Sequence, residues 1–144
     1  MDLTILAHKN LDSLHGYIDI EHVDLTLNRY LFLNFKRLSE DEKIIGCYLN
    51  QSLDRDLIII TDLQLVICNL DRFVSIRYDN IQSAYVEPIK SANKIFIRQK
   101  DGLSHSILIS GVKGDKFLDI YGFLRFIKKV LVNSNLNNPV SLTV

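Results

Sequence analysis

The 144-residue chain is about one domain in length, and 47% hydrophobic with 24% charged residues is the composition of a folded globular protein, which excludes overall disorder. Seventeen basic residues balance seventeen acidic ones, so no global field favours nucleic acid or anionic lipid, although a local basic patch is compatible with that total. A basic segment leading into an apolar one is missing at the start, which predicts a non-secreted, cytoplasmic protein, and Cys47 and Cys68 lie inside apolar runs as buried, reduced thiols rather than as a disulfide.

In chain order, residues 1–38 read as a helical extension. Leu3, Leu6, Ala7, Leu11 and Leu14 fall on one helical stripe that stops at Gly16, and Val23, Leu27, Tyr30, Leu31 and Leu38 form a second. The string "IDIEHVDLTL" also alternates in part, so a strand competes with the second helix there.

Seven strands are expected next: 43–50, 57–60, 63–68, 73–78, 82–88, 94–99 and 104–110. The run "DLIIITDLQLVICNL" is too short and too interrupted by aspartates to span a bilayer, which takes about 20 apolar residues. Its branched residues, split by Thr61-Asp62, read as a hairpin instead of one buried helix. In "FVSIRY", Val74, Ile76 and Tyr78 alternate with Ser75 and Arg77, and Pro88 stops the following strand. Strands at short, even spacing with no helix between them indicate an antiparallel sandwich or barrel.

The last hairpin is fixed by parity. Ile95 and Ile97 share a face with Ile107 and Ile109 only if paired residue numbers sum to an even value. A two-residue turn at Asp101-Gly102 fails that test. A three-residue loop of Lys100, Asp101 and Gly102 meets it and puts glycine at the left-handed position. Ile95, Ile97, His105, Ile107 and Ile109 then face inward, and Lys94, Phe96, Arg98, Ser104, Ser106 and Leu108 face outward.

Residues 114–134 switch to helical period, with Phe117, Ile120, Tyr121, Leu124, Ile127 and Leu131 as the core stripe. Asp115 is the expected N-cap, and Lys128 and Lys129 suit the C-terminal half. Gly122 inside the helix marks a close backbone approach. Phe123, Phe126 and Val130 form an apolar surplus beside the core stripe. It needs cover, either from the N-terminal helices, the favoured reading, or from a second chain. Residues 134–144 read as a flexible tail.

From 39 to 133 the order of elements resembles the bacterial pleckstrin-homology-like domains, relatives of the pleckstrin-homology and GRAM folds. Four stretches carry the likeness: "LSEDEKIIG" before the first strand, "LIIITDLQLVI" as a strand–Thr–Asp–strand hairpin, "IRYDNIQSAYVE" as the turn into the fifth strand, and "KDG" in the last hairpin. The resemblance implies a seven-stranded antiparallel barrel or sandwich capped by a C-terminal helix, serving as a binding module for lipids or peptides. Phosphoinositide-binding members carry several basic residues around the first loop. Here that loop is "NQSLDRD", where Arg55 stands between Asp54 and Asp56 and makes a poor phosphate clamp.

Chemistry-bearing patterns are sparse. His8, His15 and His22 recur every seven residues, about 10 Å apart on a continuous helix and too far to share one metal. His105 reads as a hydrogen-bonded core histidine, and neither cysteine has a ligand partner nearby. A nucleophile elbow and a phosphate-binding glycine loop are both missing. The expectation is therefore a non-catalytic module without metal or cofactor. Its leading partner is a protein or peptide added as a strand to the sheet edge beside the last helix. The alternatives are anionic membrane lipid, held on a basic outer face around Lys94, Phe96, Arg98 and Lys100, and a structural homo-oligomer formed through Phe123, Phe126 and Val130. Nucleic acid is not expected.

Overall fold

The computed structural model describes residues 2–22, 42–50, 57–68, 73–113 and 117–137. Helix α1 (Leu3–Leu11) starts at Asp2, whose side chain accepts a hydrogen bond from the Thr4 amide at 2.8 Å. It ends at Leu11, five residues before the expected stop. The Leu14 amide bonds back to Leu11 O, and Gly16 O instead accepts from the Leu49 amide. That bond starts a strand: β1 (Tyr17–Asp19) lies antiparallel to β2 (Ile44–Leu49), with Tyr17 opposite Tyr48 and Asp19 opposite Gly46. The strand that competed with the second helix therefore occurs, among the described residues over Tyr17–Asp19. The second expected helical stripe, from Val23 to Leu38, lies outside the described residues.

The strands that follow occupy the expected segments. β2 pairs with β3 (Leu57–Thr61), β3 with β4 (Gln64–Cys68), and β4 with β5 (Phe73–Arg77), all antiparallel, giving a five-stranded sheet in the order β1-β2-β3-β4-β5. A short 3-10 turn (Tyr78–Asn80) leads into the second sheet. This has three strands, β6 (Ile81–Tyr85), β7 (Lys94–Gln99) and β8 (Ser104–Leu108), in the order β6-β7-β8. The two sheets do not close into one seven-stranded barrel. Two dipeptides, β9 (Val112–Lys113) and β10 (Phe117–Leu118), pair separately and deliver the chain to α2 (Asp119–Asn137). The helix thus starts four residues after the expected cap, because Phe117 and Leu118 are engaged as strand. It also runs three residues beyond 134.

The apolar opening run makes physical sense in this layout. Every residue of β3 is buried. Ile58 and Ile60 enter the main core with Leu65, Ile76, Ile95 and Ile107. Leu57 and Ile59 join Cys47, Val66 and Cys68 in a second apolar cluster. A strand buried on both faces loses its polar alternation, so the run resembles a helix segment in pattern.

The last hairpin follows the parity argument. Ile95 pairs with Ile107 and Ile97 with His105, and Gly102 has φ +94°. The Leu103 amide, with the Asn80 and Gln99 side chains, holds the Asp101 carboxyl below its usual range. Helix α1 packs on α2 at Gly122. A Cβ there would stand 2.6 Å from Leu14 Cδ2 and 3.4 Å from Asn10 O, so glycine sets the approach of the two helices.

Polar side chains fasten the corners. Asn50 donates to Leu108 O at 2.7 Å and accepts from the Ser110 amide at 2.8 Å, linking the ends of β2 and β8. Thr61 donates to Glu42 and accepts from the Leu63 and Gln64 amides in the β3–β4 turn. Asp119, 2% exposed at the start of α2, accepts from the His15 and Gly16 amides at 2.9 and 3.0 Å and from the Tyr48 hydroxyl at 2.7 Å. Tyr48 in turn accepts from the Gly111 amide at 2.9 Å.

Candidate functional site

Alternation along β6, β7 and β8 puts one face of the second sheet inward and leaves the other to solvent. On the outer face Tyr85 stands opposite Phe96, which stands opposite Ser106; Ser83, Arg98 and Ser104 form the next row. Tyr85 and Phe96 stack with ring centroids 5.3 Å apart and planes inclined by 21°. Lys94 and Arg98 flank this pair and are exposed. Lys100 is exposed at the turn, its amide bonded to Asn80 O. The structure therefore brings Lys94, Phe96 and Arg98 onto one face, with Lys100 at its end. Among the described residues none of the three cations enters an ion pair.

β6 is an edge of this sheet, and α2 packs beside it. Gln82 sits at a break in the β6–β7 register and has no ladder partner there. Tyr85 on β6 and Tyr121 on α2 are 55% and 48% exposed.

The expected interface residues lie elsewhere. Phe123, Phe126 and Val130 are buried within the chain, whereas Tyr121, expected in the core stripe, is at the surface. Phe123 meets Tyr48 edge-on at 5.7 Å, and Phe126 meets Tyr78 at 6.4 Å. These T-shaped contacts favour the aromatic stripe as the inner face. The surplus is covered by the chain's own sheets, with α1 packed against the same helix.

Other polar groups are mostly accounted for. His105 Nε2 lies 2.8 Å from Gln99 Oε1. Both cysteines are buried thiols outside any disulfide, and burial pushes the Cys47 thiol up to about 12. A cleft of about 180 Å³ between residues 90–93 and 109–111 is smaller than the roughly 300 Å³ at which small-molecule sites begin.

One grouping escaped the sequence pattern. His8 Nδ1 lies 3.1 Å from Asp12 Oδ1, and Asp19 reaches the same place from β1, so that ligand atoms of all three are within 4.8 Å of one another. The heptad of histidines drew attention to the wrong residues: the His15 amide turns to Asp119, while His22 Nδ1 lies 2.9 Å from Asp19 Oδ2. Among the described residues no helix is long and apolar enough to cross a membrane. Compared with known proteins, the chain matches no family model, no curated protein and no solved structure.

Proposed function

We propose that the chain is a pleckstrin-homology-like, non-catalytic binding module that takes an extended segment of a protein partner as an added strand on the β6 edge. The observation that carries this reading is the position of β6. Among the described residues it pairs with β7 alone, and α2 runs beside it. An edge strand offers its unpaired backbone groups for affinity, and flanking side chains such as Tyr85 and Tyr121 select the partner. A four-strand meander, a three-strand meander and a closing helix support the family reading, with α1 and β1 as additions to it.

A second reading has its own observation. The Tyr85–Phe96 stack between Lys94 and Arg98 combines aromatic and cationic groups, which suits the boundary of an anionic bilayer. Three proteins separate the two readings: wild type, Gln82→Pro, which removes an edge N–H where the β7 ladder is already broken, and the double reversal Lys94→Glu/Arg98→Glu. Strand addition requires that a partner captured from the native cell be lost in Gln82→Pro and retained in the double reversal. Sedimentation of wild type with phosphatidylserine vesicles, abolished by the double reversal, would replace the first reading with the second.

A further inference from the structure

We propose that His8, Asp12 and Asp19 bind one divalent transition-metal ion of the zinc class, tying the end of α1 to β1. His8 and Asp12 are four residues apart at the C-terminal end of α1, so they share a helix face. Asp19 arrives from the opposite side because the chain reverses at Gly16 and pairs as β1. Zinc bonds to imidazole nitrogen and carboxylate oxygen run about 2.0–2.2 Å, so two ligand atoms on one tetrahedral ion stand about 3.4 Å apart. The three atoms here lie within 4.8 Å of one another, and two of the side chains are exposed and free to close that gap.

The donor set selects the ion. One imidazole with two carboxylates suits zinc, cobalt or nickel; calcium requires six to eight oxygens. Asp19 is held in place, with Oδ1 accepting from the Glu21 amide at 2.8 Å and Oδ2 beside His22 Nδ1. Each oxygen keeps a second lone pair for an ion. Histidine–carboxylate pairing of this kind is how outer residues orient metal ligands.

Tyr17 supplies an independent observation. It is 9% exposed, and its hydroxyl has no hydrogen-bond partner. It lies against Gly46, the residue opposite Asp19, within electrostatic reach of the Asp12 and Asp19 carboxylates. Buried hydroxyls are normally satisfied. Water in the open fourth position of an ion bound here would be a strong donor, and the unpartnered Tyr17 hydroxyl oxygen could accept from it.

The test is calorimetric titration of the full chain with zinc chloride, with thermal melting in parallel. One ion per chain at micromolar or tighter affinity is expected, together with a rise in Tm on zinc addition. His8→Ala and Asp19→Asn should each weaken binding at least tenfold, and His15→Ala should leave it unchanged. Circular dichroism establishes that each variant is folded, and the visible spectrum of the cobalt-loaded wild type reads the coordination directly. Failure of the wild type to bind zinc stoichiometrically, binding retained in both His8→Ala and Asp19→Asn, or a cobalt spectrum of the free aquo ion would each overturn the site.

Discussion

Replacing Asp119 by alanine is the most severe single change the hydrogen bonding identifies. The carboxylate accepts from two backbone amides and one hydroxyl, in a position 2% exposed. Each donor stranded without an acceptor costs about 1–3 kcal/mol, and non-additivity brings the sum to about 3–5 kcal/mol. A domain of this size is stable by only about 5–15 kcal/mol, so the variant would be marginal. Asp119→Asn keeps the volume but turns an NH₂ group towards at least one donor, costing about 1–3 kcal/mol. Tyr48→Phe removes one bond to Asp119 and strands the Gly111 amide, for about 1–2 kcal/mol. Urea unfolding followed by circular dichroism measures all three, since the chain has no tryptophan to report. With a slope of about 2 kcal/mol/M, Asp119→Ala should lower the midpoint by about 2 M. A shift under about 0.5 M would refute the reasoning, as would strict additivity of Asp119→Asn with Tyr48→Phe.

Alkali should destabilise the fold. The Cys47 thiol is raised to about 12 by burial, and burial also raises Tyr17, Tyr48 and Tyr78. The unfolded chain therefore loses these protons first, and stability is full below about pH 9 and falls as pH rises towards 12; denaturant midpoints unchanged from pH 8.5 to 11 would contradict it. Because both are buried, neither cysteine should react with a thiol reagent in the folded protein, and both should react in urea. Gly111→Ala would push a Cβ into the Asp119 carboxylate and Tyr48 hydroxyl, costing about 1–3 kcal/mol. Gly102→Ala meets open space and is penalised only by its positive φ, about 1 kcal/mol, so equal losses would show that the contact at Gly111 is not what matters. Removing α1 takes Leu6, Ala7 and Leu11 out of the core and uncovers the α2 surface they pack on, which should lower stability by about 3–6 kcal/mol or cause aggregation; a monomer of unchanged Tm would make α1 an independent arm.

Local chemistry made much of this fold legible in the sequence. Thr61-Asp62 and the parity of Ile95 with Ile107 each concern a single hairpin, where turn geometry and period 2 leave few choices. The face of α2 was legible in part. Ile120 and Ile127 are buried as expected and Leu124 and Leu131 pack against the core, but Tyr121 is at the surface and the adjacent stripe of Phe123 and Phe126 is inner as well, because Tyr48 and Tyr78, from distant segments, meet their rings. β1 was readable only as a competing alternative, since three residues carry almost no period. The grouping of His8 and Asp12 with Asp19 was hidden for a related reason: helical spacing finds the first two, but the third comes from a strand.

The corners bear on the proposed strand addition. Among the described residues the strands of the two sheets do not pair with one another; Asn50 bridges the ends of β2 and β8, and the Tyr78 hydroxyl donates to Thr61 O at 2.8 Å where the chain passes between sheets. Asp119 likewise joins α2 to the residues leading into β1 and to β2. These joints use buried side chains, so they do not consume the backbone groups along β6. A fold closed by ladder bonds throughout would have no edge to offer. Here the fastening and the β6 edge are separate, so the proposed strand addition would not require unpicking any corner.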